Sequence, residues 1–388
     1  MSDIKLSKKP AALVLTFAAV GITVYMWLFL HAESQMAVGG LILLALVLTL
    51  MGKKMGTVKS IESAASSRPG LARVWSLLGT LALVAAFYDS HFVLLMVGGV
   101  LLYAIACMGL TLQFGFSGVN NFAGAAFFGI GSYTAAVLGT HTGLPSLANI
   151  AIAGMVAAII GSVLIWPVLR TRGHYAALVT IAFGILFKTF LEVNDVLGGP
   201  QGLQVPGMTL FGHAFNENFT LFGVEFSFYV NYVLLSIVLF SIVFVLVKAL
   251  ERSWVGLSMD VVRTDETAAS TFGLHIVRWK VIAFTLGNFF AGIAGSVYAM
   301  MVGFVAPNNF TFADSLLLLS ITILGGLGNV IGLIPAAIIV LMLPEKLQFI
   351  QEYRVLLYAV LVIIILLFRP DGLLPRKTRL FFSRRTPQ

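Results

Sequence analysis

Apolar runs long enough to cross a bilayer recur along almost the whole chain, and this repetition constrains the fold more than any motif does. A membrane-spanning helix needs about 20 predominantly apolar residues. Runs of that kind stand near 11–30, 36–51, 74–88, 92–112, 122–139, 148–168, 176–191, 227–247, 281–302, 315–343 and 354–368. Charged residues make up 10% of the chain, against roughly a quarter in soluble domains, so lipid must face most of the surface. The expected class is an all-α polytopic integral membrane protein of about 11–12 membrane segments, some of them short and broken or re-entrant.

Lys5, Lys8 and Lys9 precede the first run, as in a secretory signal peptide, but another apolar run follows at residue 36 with no exported domain between. The first run is therefore expected to stay as a helix. Basic residues gather between runs: Lys53, Lys54, Lys59, Arg68 and Arg73; Arg170 and Arg172; Lys248, Arg252, Arg263, Arg278 and Lys280. The tail adds Arg369, Arg376, Lys377, Arg379, Arg384 and Arg385. Positive residues collect on the cytoplasmic side, which puts these clusters and both termini in the cytoplasm. The loop 192–226 carries Glu192, Asp195, Glu217 and Glu225 and no Lys or Arg, and belongs outside.

Eleven full crossings would leave the basic tail outside, so one run must be split. The stretch 315–343 is interrupted by Gly325-Gly326-Leu327-Gly328-Asn329, which predicts two short segments meeting at that turn. Residues 114–121, Phe-Gly-Phe-Ser-Gly-Val-Asn-Asn, form a second break. Irregular backbone at membrane depth survives where protein or a watery cavity satisfies its polar groups, and discontinuous segments point toward a transport pathway. Three regions follow: N-terminal membrane segments with a basic loop over 1–91, a core over 92–375 with a polar cytoplasmic segment at 251–280, and a basic tail over 376–388.

Several function classes drop out. The net charge of +8 is explained by topology and does not call for nucleic acid. No GxxxxGK[ST] loop exists, so this chain does not itself hydrolyse ATP. Gly326, Gly328 and Gly332 have the wrong spacing for a nucleotide loop and read as glycines that let helices approach closely. One cysteine, Cys107, excludes an intrachain disulfide. His31, His91, His141, His174, His213 and His275 are scattered over different loops without ligand spacing, so no metal site is expected. No nucleophile elbow or intramembrane carboxylate pair appears, and the chain reads as no enzyme and as binding no cofactor of its own.

Two polar features stay open at this level. Lys188 is a basic residue well inside a run, and such residues are functional candidates by default; a snorkelling side chain paired with Glu192 one turn on is the alternative. In 251–280, Thr264-Asp265-Glu266 caps a short predicted helix with Ala269 and Phe272 as its apolar face, and Gly273 is a left-handed stop. That describes either a knob shaped for a partner's cleft or an ordinary amphipathic surface loop.

Several of these segments resemble the LivM-type permeases of the LivH/LivM family, inner-membrane subunits of bacterial ABC importers for branched-chain amino acids. The matching stretches run in the family's order: Ala125-Ala126-Phe127-Phe128-Gly129-Ile130-Gly131-Ser132-Tyr133, Arg170-Thr171-Arg172-Gly173-His174-Tyr175 and Val179-Thr180-Ile181-Ala182-Phe183-Gly184. They continue with Gly198-Gly199-Pro200-Gln201-Gly202, then Gly256 with Arg263, Glu266 and Gly273, the turn 325–329, and Arg369-Pro370-Asp371-Gly372-Leu373-Leu374. The resemblance implies that Gly256, Arg263, Glu266 and Gly273 form the loop that seats on an ATPase subunit. It implies ATP and Mg on two separate LivG/LivF-like ATPases, a homologous LivH-like permease, a periplasmic solute-binding protein facing Gly199, Pro200 and Gln201, and a lipid bilayer as surroundings. Urea or short amides are alternative cargoes within that class, and an ion-coupled carrier is the alternative outside it.

The chain departs from the family where many relatives carry Gln, Ser and His and this one reads Val119-Asn120-Asn121-Phe122-Ala123-Gly124, and where Ile185 replaces an acid. Asn120 and Asn121 still offer amide donors and acceptors beside a helix break, so with Lys188 and Asn329 they are candidates for the translocation path, a capping or turn role being the alternative for the two asparagines.

Overall fold

A computed structural model describes residues 8–171, 175–210, 212–221, 223–347, 352–368, 372–374 and 376. Lys5, Arg172, residues 173–174, residues 369–371 and the tail from 377 lie outside them. The described residues divide into two compact units, one within Met1–Leu94, Phe219–Val230 and Pro344–Glu352, the other within Leu95–Asn218, Asn231–Leu343 and Tyr353–Gln388.

Each apolar run lies on a helix. The first unit holds α1 (Lys8–His31), α2 (Gln35–Met55), α3 (Thr57–Ser67) and α4 (Pro69–Ala86). Ser34 caps α2 through its side chain, which accepts from Ala37 N, and Pro69 opens α4 where a missing N–H costs nothing. The loop expected over 52–73 is largely helical. Its middle forms α3, whose small Ala64 is fully buried against Leu15 of α1. An amphipathic helix of that length carries too many polar residues to register as an apolar run.

The second unit continues α5 (His91–Leu110) as a π-helical segment, Thr111–Ser117, and adds α6 (Gly124–His141), α7 (Ser146–Arg170), α8 (Tyr175–Val193) and α9 (Tyr229–Arg252). After the short helices α10 (Trp254–Thr264) and α11 (Glu266–Thr271) comes the long α12 (Ile276–Val302), then α13 (Phe312–Gly325), begun by a capping box between Thr311 and Asp314. Seven of the described helices are long and apolar enough to cross a membrane, or eight when the pair Pro307–Gly325 and Val330–Lys346 counts as one span. That pair is bent by 119°, at the turn where the sequence predicts two short segments. Gln35–Thr49 of α2 and the helix Arg354–Phe368 are shorter apolar stretches. The protein is a multi-pass, all-α membrane protein.

The core of the second unit is built on small residues. Helix α12 lies against both α6 and α7. A Cβ on Gly131 of α6 would stand 2.1 Å from the Gly292 carbonyl oxygen of α12, and one on Gly295 would stand 1.9 Å from that of Phe128. Backbones this close need glycine on one or both sides, the usual device for packing helices where lipid removes the hydrophobic drive between them. Short antiparallel pairs complete the loops: Leu203–Gln204 with Phe304–Val305, and Thr209–Leu210 with His213–Ala214. In the first unit Phe219–Leu221 pairs with Val224–Phe226.

Candidate functional site

The polar segment between α9 and α12 folds as two short helices. Helix α10 turns back directly on the end of α9, which Gly256 permits: a Cβ there would stand 2.4 Å from the Leu250 carbonyl oxygen. Helix α11 is capped by Asp265, whose carboxylate accepts from Thr267 N at 2.8 Å and Ala268 N at 3.0 Å. It ends in a Schellman motif, with Gly273 N donating to Ser270 O and Leu274 N to Ala269 O, and Gly273 at φ +77°. Ala269 is buried as the pattern predicts, whereas Phe272 is 83% exposed. The ring sits one residue past the helix end, where the chain is already reversing, and so projects from the knob.

Two contacts bind this knob to α12. Lys280 Nζ reaches Glu266 Oε1 at 2.6 Å, and Trp254 stacks edge-on against the buried Trp279 with centroids 5.1 Å apart. Arg263 is exposed on α10, and its stem lies against Gly118, the left-handed residue that ends the π-helical segment. The four residues expected to act together thus occupy one continuous helix pair. A shallow groove of about 280 Å³ lies along it, lined by Asp260, Val261, Thr264, Asp265 and Ala268.

The first chain break comes at Gly118, a few residues later than its first phenylalanine, because the π-helical turn carries the span on to Ser117. Its irregular backbone is satisfied by a buried amide cluster. Gln113 Nε2 donates to Asn288 Oδ1 at 2.9 Å and to Phe284 O at 3.1 Å, and Asn121 Nδ2 donates to Gln113 Oε1 at 2.8 Å. Asn121 Oδ1 in turn accepts from Ala123 N at 2.9 Å, and Thr180 Oγ1 accepts from Phe122 N at 3.1 Å. Asn121 is therefore a turn-forming residue at the head of α6, while Asn120 beside it is exposed. Asn288 Nδ2 is buried with no hydrogen-bond partner. It faces Gly161 of α7, whose absent side chain leaves it room.

The second break is the 326–329 turn. Gly325 and Gly332 stand back to back across it, the close packing expected of Gly332 but made with Gly325, while Gly326 and Gly328 lie in the turn itself. Asn329 caps the following turn by accepting from Ile331 N and donates to Leu374 O at 2.9 Å. Lys188 has the paired setting: its Nζ stands 2.9 Å from Glu192 Oε1, both side chains about one-third exposed. In the turn after α8, Gly199 is buried at φ +52°, while Pro200 and Gln201 are exposed. Gly202 abuts the Val305 carbonyl oxygen.

Sequence reasoning missed Gln113 and Asn288, the two amides that hold Asn121. Each stands in or at the end of an apolar run, and a lone amide in such a run was their only signal. It also missed the position of Arg376, counted only as a tail charge. That guanidinium pairs with Asp260 and lies 4.1 Å from the Phe116 ring centroid. Among the described residues no group of three His, Cys, Asp or Glu could hold a metal ion.

Residues 92–366 match the family model described as branched-chain amino acid transport system / permease component. The high-affinity branched-chain amino acid transport system permease protein LivM of Salmonella typhimurium is 36% identical over 294 residues, covering 71% of this chain and 68% of that one. LivM of Escherichia coli K12 is 37% identical with the same coverage, and LivH of that strain is 26% identical over 297 residues, covering 71% of this chain and 91% of its own. No solved structure matches the chain.

Proposed function

The chain belongs to the LivM-type branch of the branched-chain amino acid transport system permeases, and from that premise we propose that it is one permease subunit of an ATP-driven importer in a bacterial inner membrane. Both termini lie in the cytoplasm. A periplasmic binding protein delivers branched-chain amino acids to the outer face near Pro200 and Gln201. A LivH-like permease completes the pathway, and two ATPase subunits supply Mg-ATP hydrolysis. This chain's own part is to pass solute and to transmit motion.

The observation that carries the reading is the α10–α11 knob, a small helix pair with an exposed Phe272 at its tip and each helix tied to α12 at its first residue. Closure of an ATPase dimer beneath the knob would push on Glu266 and Trp254, and Lys280 and Trp279 would pass the push to α12. Because α12 is in backbone contact with α6, the push moves them together. A partly buried ion pair is suited to this, since its geometry is held by charge-assisted hydrogen bonding.

Gentle detergent extraction of the chain with its native neighbours tests the reading. ATPase subunits should co-purify, and hydrolysis should rise when a binding protein loaded with leucine is added. A response to the urea-loaded protein alone would change the cargo. Extraction of the chain by itself, with solute accumulation in vesicles on an ion gradient and no ATP, would overturn the reading.

A further inference from the structure

We propose that Arg376 is a positioning residue that ties the α10–α11 knob to the π-helical segment ahead of the first break and to the second break, so that displacement of the knob reaches both segments directly. The inference rests on the functional reading above, in which the knob receives the ATPase stroke. Residue 376 lies beyond residue 366, where the family match ends.

The guanidinium sits where four pieces of chain meet. Nη1 and Nη2 take the two carboxylate oxygens of Asp260 on α10, at 2.5 and 2.8 Å. Nε lies 3.9 Å from Glu251 Oε1 at the end of α9, and Glu251 is also paired with Lys248 at 2.7 Å. The face of the group lies over the fully buried Phe116 of the π-helical segment, and Nη1 stands 3.5 Å from the Gly115 carbonyl oxygen. The stem passes Gly328 of the second break, where a Cβ would stand 2.7 Å from Arg376 Cδ. The π-helical segment and the second break themselves touch: a Cβ on Gly115 would stand 2.3 Å from Gly328 N.

Arg376 is anchored from its own side as well. Leu373 N donates to Leu324 O at 2.7 Å, and Leu374 O accepts from Asn329. Gly372, at φ +75°, lies against Gly326. This short stretch is strapped onto the second break by backbone and amide contacts, and the Arg376 side chain reaches from there to α10 and to the π-helical segment. The geometry demands arginine. A planar fork can bind both carboxylate oxygens and present its face to an aromatic ring at once, whereas a lysine ammonium can do only one.

The test uses the complete transporter with its ATPase subunits and binding protein in proteoliposomes, reading ATP hydrolysis and solute uptake together. Arg376→Met and Arg376→Lys should leave hydrolysis running while solute moved per ATP falls about tenfold, within the usual range of an inter-site coupling. A residue that only stabilised the fold would lower assembly, hydrolysis and uptake together, leaving the ratio unchanged; that result overturns the proposal. Normal ratios in both variants do so too. Uptake by the unaltered complex without ATP would instead overturn the functional reading, and this inference with it.

Discussion

Replacing Gly131 by alanine is the sharpest test of the packed core. The added Cβ would stand 2.1 Å from the Gly292 carbonyl oxygen and 2.6 Å from its Cα, short of van der Waals contact by roughly 1 Å. Helix α12 cannot yield by moving away from α6. On its far side Gly292 already faces α7, where a Cβ would meet that of Ala157 at 2.6 Å and the Ala153 carbonyl oxygen at 2.9 Å. Gly154 of α7 is likewise filled against by Phe289 and Ile293 of α12. With no side free to relax, the overpacking cost belongs near the top of its usual range, about 3 kcal/mol. Alanine's better helix propensity returns about 1 kcal/mol, for a net loss of about 2 kcal/mol. Unfolding in SDS-containing mixed micelles, followed by helical circular dichroism, measures it. Gly99→Ala in α5 is the control, since a Cβ there meets nothing within 4 Å. Equal stability of the two variants, within about 0.5 kcal/mol, would refute the backbone contact between α6 and α12.

Four further outcomes follow from the same geometry. Asn121→Leu strips Gln113 Oε1 of its donor and Ala123 N of its acceptor, so the same denaturation assay should show a loss of about 1–3 kcal/mol. Gly273→Ala meets no neighbour but forces alanine to φ +77°, costing about 1–2 kcal/mol of local strain; it and Glu266→Gln should lower uptake with the chain still inserted, as read by membrane yield against transport. Cys107 is fully buried, so the unaltered chain should be silent to thiol reagents, while a cysteine at Thr220 should label from outside and one at Thr271 from inside. Lys188→Met removes only an exposed i,i+4 pair worth about 0.3–0.5 kcal/mol, and normal uptake by that variant is expected.

The sequence is informative wherever one physical property dominates a segment. Apolar length located the helices because nothing else satisfies a backbone in lipid, and the 325–329 turn stood out because three glycines and an asparagine cannot continue a span. The α11 caps were legible for the same reason: Asp265 and Gly273 act on their own neighbours, within four residues. What stayed hidden depends on partners distant in the chain. Gln113 finds Asn288 across 175 residues and Arg376 finds Asp260 across 116, and neither spacing leaves a periodic trace. Helix α3 escaped because its buried face is little more than one alanine. The hairpins in 192–226 turn at Gly212 and Gly223, both at positive φ, but two- and three-residue strands are too short to alternate visibly.

The distribution of contacts says where such a protein can bend. Helices α6 and α12 share backbone contacts at two levels, and α7 is locked to α12 through Gly154 and Gly161, so these three cannot slide past one another without losing atomic contact along their length. They must move as a block. Freedom is left to the non-helical residues 118–123 and 326–329, where hydrogen bonds through the Asn121, Thr180 and Asn329 side chains stand beside a few backbone ones and can exchange partners more readily than a helix ladder can. The second break and the π-helical turn that leads into the first adjoin Arg376, and the knob on which the functional reading turns adjoins it too. A rigid block, two deformable segments and one charged strut between them are the parts a rocking mechanism requires.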